Sequence, residues 1–248
     1  MKPLLTVGLL LALGGCSSSN PTTTPSPTAN NGPIRVLMLT ATQGFRHDSI
    51  GTAQTVMSML AASSGEFRVT ITEELPAVSA NSLTGYDVLV FALTSGELPF
   101  TTEQKTTILN FVNGGGGFMG VHSAADTLYE WPEYERLIGA YFKEHPWTQR
   151  ATVVVEDPTH PAVTGLGASF SIDEEFYTFR QNPRPNVQVL LRLDAASVGS
   201  TGDYPLAWVQ SFGRGKTYYN ALGHNSSTWN DTRFQRQLLG GIRWVATP

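Results

Sequence analysis

The chain has 248 residues, 41% hydrophobic and 15% charged, the composition of a globular protein with apolar material for one sizeable core. Its 16 Lys and Arg against 20 Asp and Glu give a net charge of −4. No basic cluster runs along it, which takes away the electrostatic footing for nucleic-acid binding and favours a neutral or weakly charged small molecule as partner. The only cysteine is Cys16, so the rest of the chain holds no disulfide, thiolate metal site or cysteine nucleophile.

Residues 1–16 join Lys2, an apolar run from Leu4 to Leu13 and small residues before Cys16, the layout of a secretory signal too short to span a bilayer as a folded helix. The ending Leu13, Gly14, Gly15, Cys16 resembles a bacterial lipobox, which predicts lipidation of Cys16 and a lipoprotein exported and anchored to a membrane by its N-terminal lipid alone. Ser17 after it favours the outer membrane, with the cell surface or periplasm as location; a plain signal peptide is the other reading. Residues 17–33, SSSNPTTTPSPTANNGP, lack an apolar anchor and read as a disordered tether, which leaves 34–248 as one folded domain.

In that domain, IRVLMLT at 34–40 is a continuous apolar run, the pattern of a strand buried on both faces. A loop, TQGFRHD, leads to a helical pattern over 49–62, then to strands at 67–74 and 86–93. Thr101 and Gln104 have capping-box spacing for a helix over 102–112. The run Gly114 to Gly117 ends that helix and feeds a fourth strand, FMGV, from which the chain turns at His122 into a further predicted helix opening with Ser123. The second half is richer in strands, at 150–157, 169–179 and 187–194. An antiparallel hairpin follows, PLAWVQSF and GKTYYNAL around Gly213 to Gly215, and a last helix over 231–245. The expected fold is α/β: a doubly wound, mostly parallel sheet with helices on both faces and the hairpin toward the C-terminus. In such sheets ligands sit beyond the carboxyl ends of the strands, where the loops of His47, Ser95 with Glu97, and His122 should converge.

All five histidines fall at predicted strand ends or in loops. The turn at His122 has the outline of a nucleophile turn, yet it presents an imidazole where a Ser or Cys would stand. If the second hairpin arm runs parallel to its neighbour, His224 joins His47 and His122 at one edge, with Glu175 as the acidic partner and Glu174 as the competing choice. Three imidazoles and a carboxylate suit Zn²⁺ or another divalent ion, or metal-free acid/base catalysis, and the spacing does not choose between these. His160, between prolines in DPTHP, reads as structural, whereas His145 lies beside Trp147, which could form a sugar-stacking face. Phe45, Trp131, Trp147, Tyr177 and Trp229 at loop positions would suit carbohydrate; Trp208 and Trp244 read as core. Ser123 is a candidate hydroxyl nucleophile, although it would open a helix rather than occupy the turn.

GFRHDS at 44–49, GGGGFMGVHSAAD at 114–126, HPW at 145–147, EEFY at 174–177, GKTYYNALGH at 215–224 and LLGGIRW at 238–244 together resemble the ThuA-like family, named for trehalose utilisation, over about residues 34–246. That resemblance implies a flavodoxin-like fold of the class I glutamine amidotransferase-like superfamily and a role in the metabolism of disaccharides or their keto forms. It carries His47, His122, Glu175 and His224 over as candidate site residues, with Arg46, Asp126, His145 and Tyr177 in second rank. The expected function is a carbohydrate-processing enzyme of hydrolase, lyase or isomerase type. A non-catalytic sugar-binding lipoprotein is the alternative, and a glutamine amidotransferase is opposed by the missing thiol.

Overall fold

The computed structural model describes Met1, Pro3 and residues 32–247; the signal, Cys16 lipidation and tether readings rest on residues outside that description. The first half alternates strand and helix: β1 (Ile34–Leu39), α1 (Ile50–Ser64), β2 (Phe67–Thr72), the short α2 (Ala80–Leu83), β3 (Val88–Ala92), α3 (Thr102–Asn113) and β4 (Gly117–Val121). A 3₁₀ turn over His122–Ala125 and α4 (Pro132–Ile138) follow. The second half holds β5 (Phe142–Val155), β6 (Ser169–Phe179), β7 (Gln188–Leu193), β8 (Pro205–Phe212), β9 (Gly215–Asn220), α5 (Ser226–Asn230) and α6 (Thr232–Ala246).

The strands form a nine-stranded sheet in the order β2-β1-β3-β4-β9-β8-β7-β5-β6. From β2 to β9 every pairing is parallel, and from β9 onward every pairing is antiparallel. The antiparallel part is thus a sheet extension rather than the single hairpin expected, and the sheet is mixed. The hairpin arm β9 does run parallel to β4. Central strands β3 and β4 are buried throughout, which explains their unbroken apolar sequence. Helices cover both faces: a Cβ on Gly117 would meet Val245 of α6, and one on Gly120, three residues on, would meet Ile138 of α4.

The Thr101 capping box forms, with the Thr101 hydroxyl accepting from Gln104 N–H and Gln104 Oε1 accepting from Thr101 N–H. After His122 no long helix follows; the chain makes one 3₁₀ turn, and Leu128 then takes a positive φ of 59° before α4 starts at Pro132. β5 begins at Phe142, earlier than the apolar pattern indicated, so His145 and Trp147 lie on a strand. That end is largely exposed and carries register shifts near Glu144 and Trp147, and irregular exposed strands leave no period-2 signal. The 7-residue α4 and 5-residue α5 are too short to display helical periodicity.

One buried carboxylate fixes the loop after β9. Glu174 on β6 accepts from the N–H groups of Gly223 and His224, both at 3.1 Å, and from the Thr228 hydroxyl. Trp229 Nε1 donates to Gly223 O at 2.8 Å, and Gly223 has φ +127°, a conformation strained for any residue with a side chain. From below, Asn220 Oδ1 accepts from Leu222 N–H while its amide donates to Gln237 Oε1.

In Gly117→Ala the new Cβ would sit 2.6 Å from the rigid Val245 carbonyl. The expected loss is about 1–3 kcal/mol. Gly51→Ala in α1 meets nothing within 4 Å. It should be neutral or stabilising by up to about 1 kcal/mol. Urea midpoints at constant m-value measure both. Glu174→Leu removes the acceptor of the Glu175, Gly223 and His224 N–H groups and of the Thr228 hydroxyl and should cost on the order of 3 kcal/mol or more, against about 1 kcal/mol for Thr228→Val; equal losses in thermal denaturation would remove Glu174 as the loop's anchor.

Candidate functional site

The loops after β1, β4 and β9 leave the sheet at the same edge, the carboxyl end of the parallel strands. The loop after β1 is clamped to the loop after β3: Gln43 N–H and Gly44 N–H donate to Ser95 O, and Ser95 Oγ donates to Phe45 O at 2.6 Å. Glu97 Oε1 accepts from Glu130 N–H at 3.1 Å. Ser95 and Glu97 therefore act as scaffolding, and the clamp brings His47 over the end of β4.

His122 is wholly buried with φ +51°, a left-handed conformation that is strained for a side chain of this size. Its Nδ1 lies 2.7 Å from Ala221 O. A carbonyl only accepts, so the proton is on Nδ1, and Nε2 keeps its lone pair. That Nε2 faces His47 Nε2 and the Tyr177 hydroxyl, each at 3.1 Å. His47 Nδ1 lies 3.4 Å from Ser123 Oγ. The His47, His122 and His224 rings form a triangle with centroids 4.8, 5.2 and 5.4 Å apart.

Glu175 closes the group. Its Oε1 is 3.7 Å from His122 Nε2 and 3.5 Å from His224 Nδ1, and its Oε2 is 3.5 Å from His145 Nδ1. The choice between neighbouring carboxylates is resolved by the pleat of β6, which sends Glu174 into the loop that carries His224 and Glu175 toward the imidazoles. The described residues thus bring His47, His122, His224, Glu175, His145 and Tyr177 together from five separate segments. Ser123 sits under His47, and its location at the start of the 3₁₀ turn leaves the tip of the turn to His122.

Burial sets the charge of these groups. It pushes His47 down to about 4 and His122 well below the ordinary histidine range, with His224 adding to the effect on both and His47 adding to that on His122. His224 is held above its usual value by the Glu175 carboxylate beside it. Two of the three rings are therefore neutral bases at neutral pH. Asp126 is raised by burial and accepts from the Tyr129 hydroxyl at 2.6 Å, which places it at the margin.

Other sequence candidates lie elsewhere. Arg46 makes a bidentate pair with Glu73 at 2.9 and 2.7 Å instead of turning to the histidines. Trp147 packs edge-on against Tyr204. Trp131, Tyr177 and Trp229 are buried, so the expected stacking face of loop aromatics reduces to Phe45, which is 64% exposed with its ring centroid 4.8 Å from that of His47. His160 accepts from Ala162 N–H and lies against Trp244. Two contributors have no legible sequence signal: the Ala221 carbonyl, a backbone group, and Glu174, whose role depends on a loop about 50 residues away.

No curated protein matches the chain. A thua-like protein from Bacteroides uniformis has 25% sequence identity to it and a TM-score of 0.73, covering 89% of this chain and 95% of its own. A second thua-like protein, from Parabacteroides merdae, has 22% identity and a TM-score of 0.71 over 87% of this chain and 90% of its own, a likeness of fold. The family described as ThuA, trehalose utilisation, matches residues 35–245, nearly the whole of the described fold. The chain belongs to the ThuA family.

Proposed function

We propose that this protein is an exported, lipid-anchored enzyme that processes a disaccharide, glycoside or keto-sugar, using Glu175 with His122, His47 and His224. The observation that carries the reading is the convergence of these four side chains, from four separate segments, at the carboxyl edge of the parallel strands in a ThuA chain. The parallel half, ordered β2-β1-β3-β4-β9, is read as flavodoxin-like, and in such sheets that edge is where ligands bind. Glu175 is the proton-accepting carboxylate, flanked by imidazoles that polarise the oxygens of the substrate. Phe45, exposed beside His47, offers a ring face on which the C–H face of a sugar can stack, while the net charge of −4 suits a neutral ligand. The lipobox-like run ending at Cys16 supports the anchor and the location outside the cytoplasm.

A non-catalytic sugar-binding lipoprotein is the second reading, favoured by the same exposed Phe45. The two separate in one assay of the full chain against disaccharides, glycosides and 3-keto-glycosides. Catalysis predicts product, with turnover reduced by at least about 100-fold in His122→Ala and Glu175→Gln. Saturable binding without product would leave the binding module, and unchanged turnover in His122→Ala would sink the site assignment. Phe45→Ala should raise KM several-fold with kcat little altered, the pattern of lost uniform binding; an equal fall in kcat would place Phe45 in the chemistry instead.

A further inference from the structure

We infer that His47 Nε2, His122 Nε2 and His224 Nδ1 are the ligands of a divalent transition-metal ion whose fourth position is bordered by Glu175. The inference rests on the reading of this cluster as the functional site and assigns the means by which its imidazoles act. One ligand atom from each of the three histidines lies within 4.8 Å of the others. A tetrahedral ion with metal–nitrogen bonds of about 2.0–2.1 Å sets its ligand atoms about 3.3–3.4 Å apart. His47 Nε2 and His122 Nε2 are 3.1 Å apart, within a few tenths of an ångström of that edge.

Hydrogen bonding in the cluster is hard to satisfy without an ion. His122 gives its one proton to Ala221 O, so Nε2 has a single lone pair, yet both His47 Nε2 and the Tyr177 hydroxyl approach it at 3.1 Å. With the Tyr177 proton on that lone pair, His47 Nε2 is left either as a second donor without an acceptor or, with its own proton on Nδ1, as a lone pair facing another. His224 Nδ1 is buried and makes no hydrogen bond of good geometry, with Glu175 Oε1 standing off at 3.5 Å. An ion resolves both: the Nε2 lone pairs of His47 and His122 turn to it, and so does that of His224 Nδ1. The outer contacts fit as well, since a metal-bound histidine commonly anchors its other nitrogen. His122 Nδ1 is held by Ala221 O, and His47 Nδ1 lies 3.4 Å from Ser123 Oγ. Imidazole donors suit zinc, and the three protein ligands leave the open position that catalytic zinc sites keep. Glu175 Oε1, 3.5–3.7 Å from two of the ligand atoms, then faces whatever occupies that position and takes a proton from a water or sugar hydroxyl there.

The test is titration of the chelator-treated full chain with Zn²⁺, read by calorimetry, and with Co²⁺, read by its visible absorption, in the absence of sugar. One equivalent per chain is expected, with affinity lowered by more than about 100-fold in His47→Ala, His122→Ala and His224→Ala, beyond what loss of an outer-shell partner produces. His160→Ala, outside the cluster, should bind as the wild type does, and Glu175→Gln should keep its equivalent of zinc. His122 is fully buried and its variant could fail to fold; His224, which is partly exposed, keeps the test decisive, with circular dichroism checking that it folds. Absence of binding in the wild type, or wild-type affinity in His224→Ala, would overturn the ion. Loss of zinc in Glu175→Gln would overturn the three-imidazole ligand set. Because binding is read without sugar, a chain that holds zinc yet turns over no carbohydrate refutes the proposed activity alone, while undiminished turnover in the metal-free chain refutes the ion alone.

Discussion

The bond from His122 Nδ1 to the Ala221 carbonyl joins the ends of two neighbouring parallel strands, and the geometry of the site depends on it. The register of β4 on β9 pairs Val121 with Asn220, so the next residue on each chain, His122 and Ala221, leaves the sheet side by side. That bond requires the proton on Nδ1 and turns the Nε2 lone pair toward His47, Tyr177 and Glu175. The left-handed backbone at His122 is what lets a side chain at this point look out from the strand end, and the surrounding contacts, including Tyr219 donating to His122 O at 2.8 Å, hold it there.

Around that bond the protein gathers groups that would repel one another if all were charged. Three imidazoles within 5.4 Å centroid to centroid stay together because burial keeps His47 and His122 neutral, while the Glu175 carboxylate offsets any charge on His224. The loop that brings His224 to this place is paid for by Glu174, whose carboxylate is spent on the backbone N–H groups of Gly223 and His224. Adjacent glutamates thus take opposite tasks, one building the loop and one facing the imidazoles.

The surface around the cluster is plainer than its aromatic content suggests. Most loop tryptophans and tyrosines close the core, because a large ring on a short connection buries more area by folding inward than by waiting for a ligand. Phe45 escapes this because its loop is clamped by Ser95 with the ring left outside. An exposed ring beside buried imidazoles is the arrangement on which the carbohydrate reading depends.

Much of this was legible in the chain itself. The unbroken apolar runs of β1, β3 and β4, the Thr101 capping box and the amphipathic α6 announce themselves because local periodicity and end chemistry are written in neighbouring residues. The six motifs from GFRHDS to LLGGIRW carried the family, and the placement of His47, His122 and His224 after predicted strands foretold their common edge. Only the tertiary structure decided that Glu175 rather than Glu174 meets them, that Arg46 pairs with Glu73, and that His145 rides on a bulged strand. Those outcomes turn on pleat phase, strand register and contacts between residues far apart along the chain. A linear sequence carries no period or spacing for such relations; they exist once the sheet has brought its edges together.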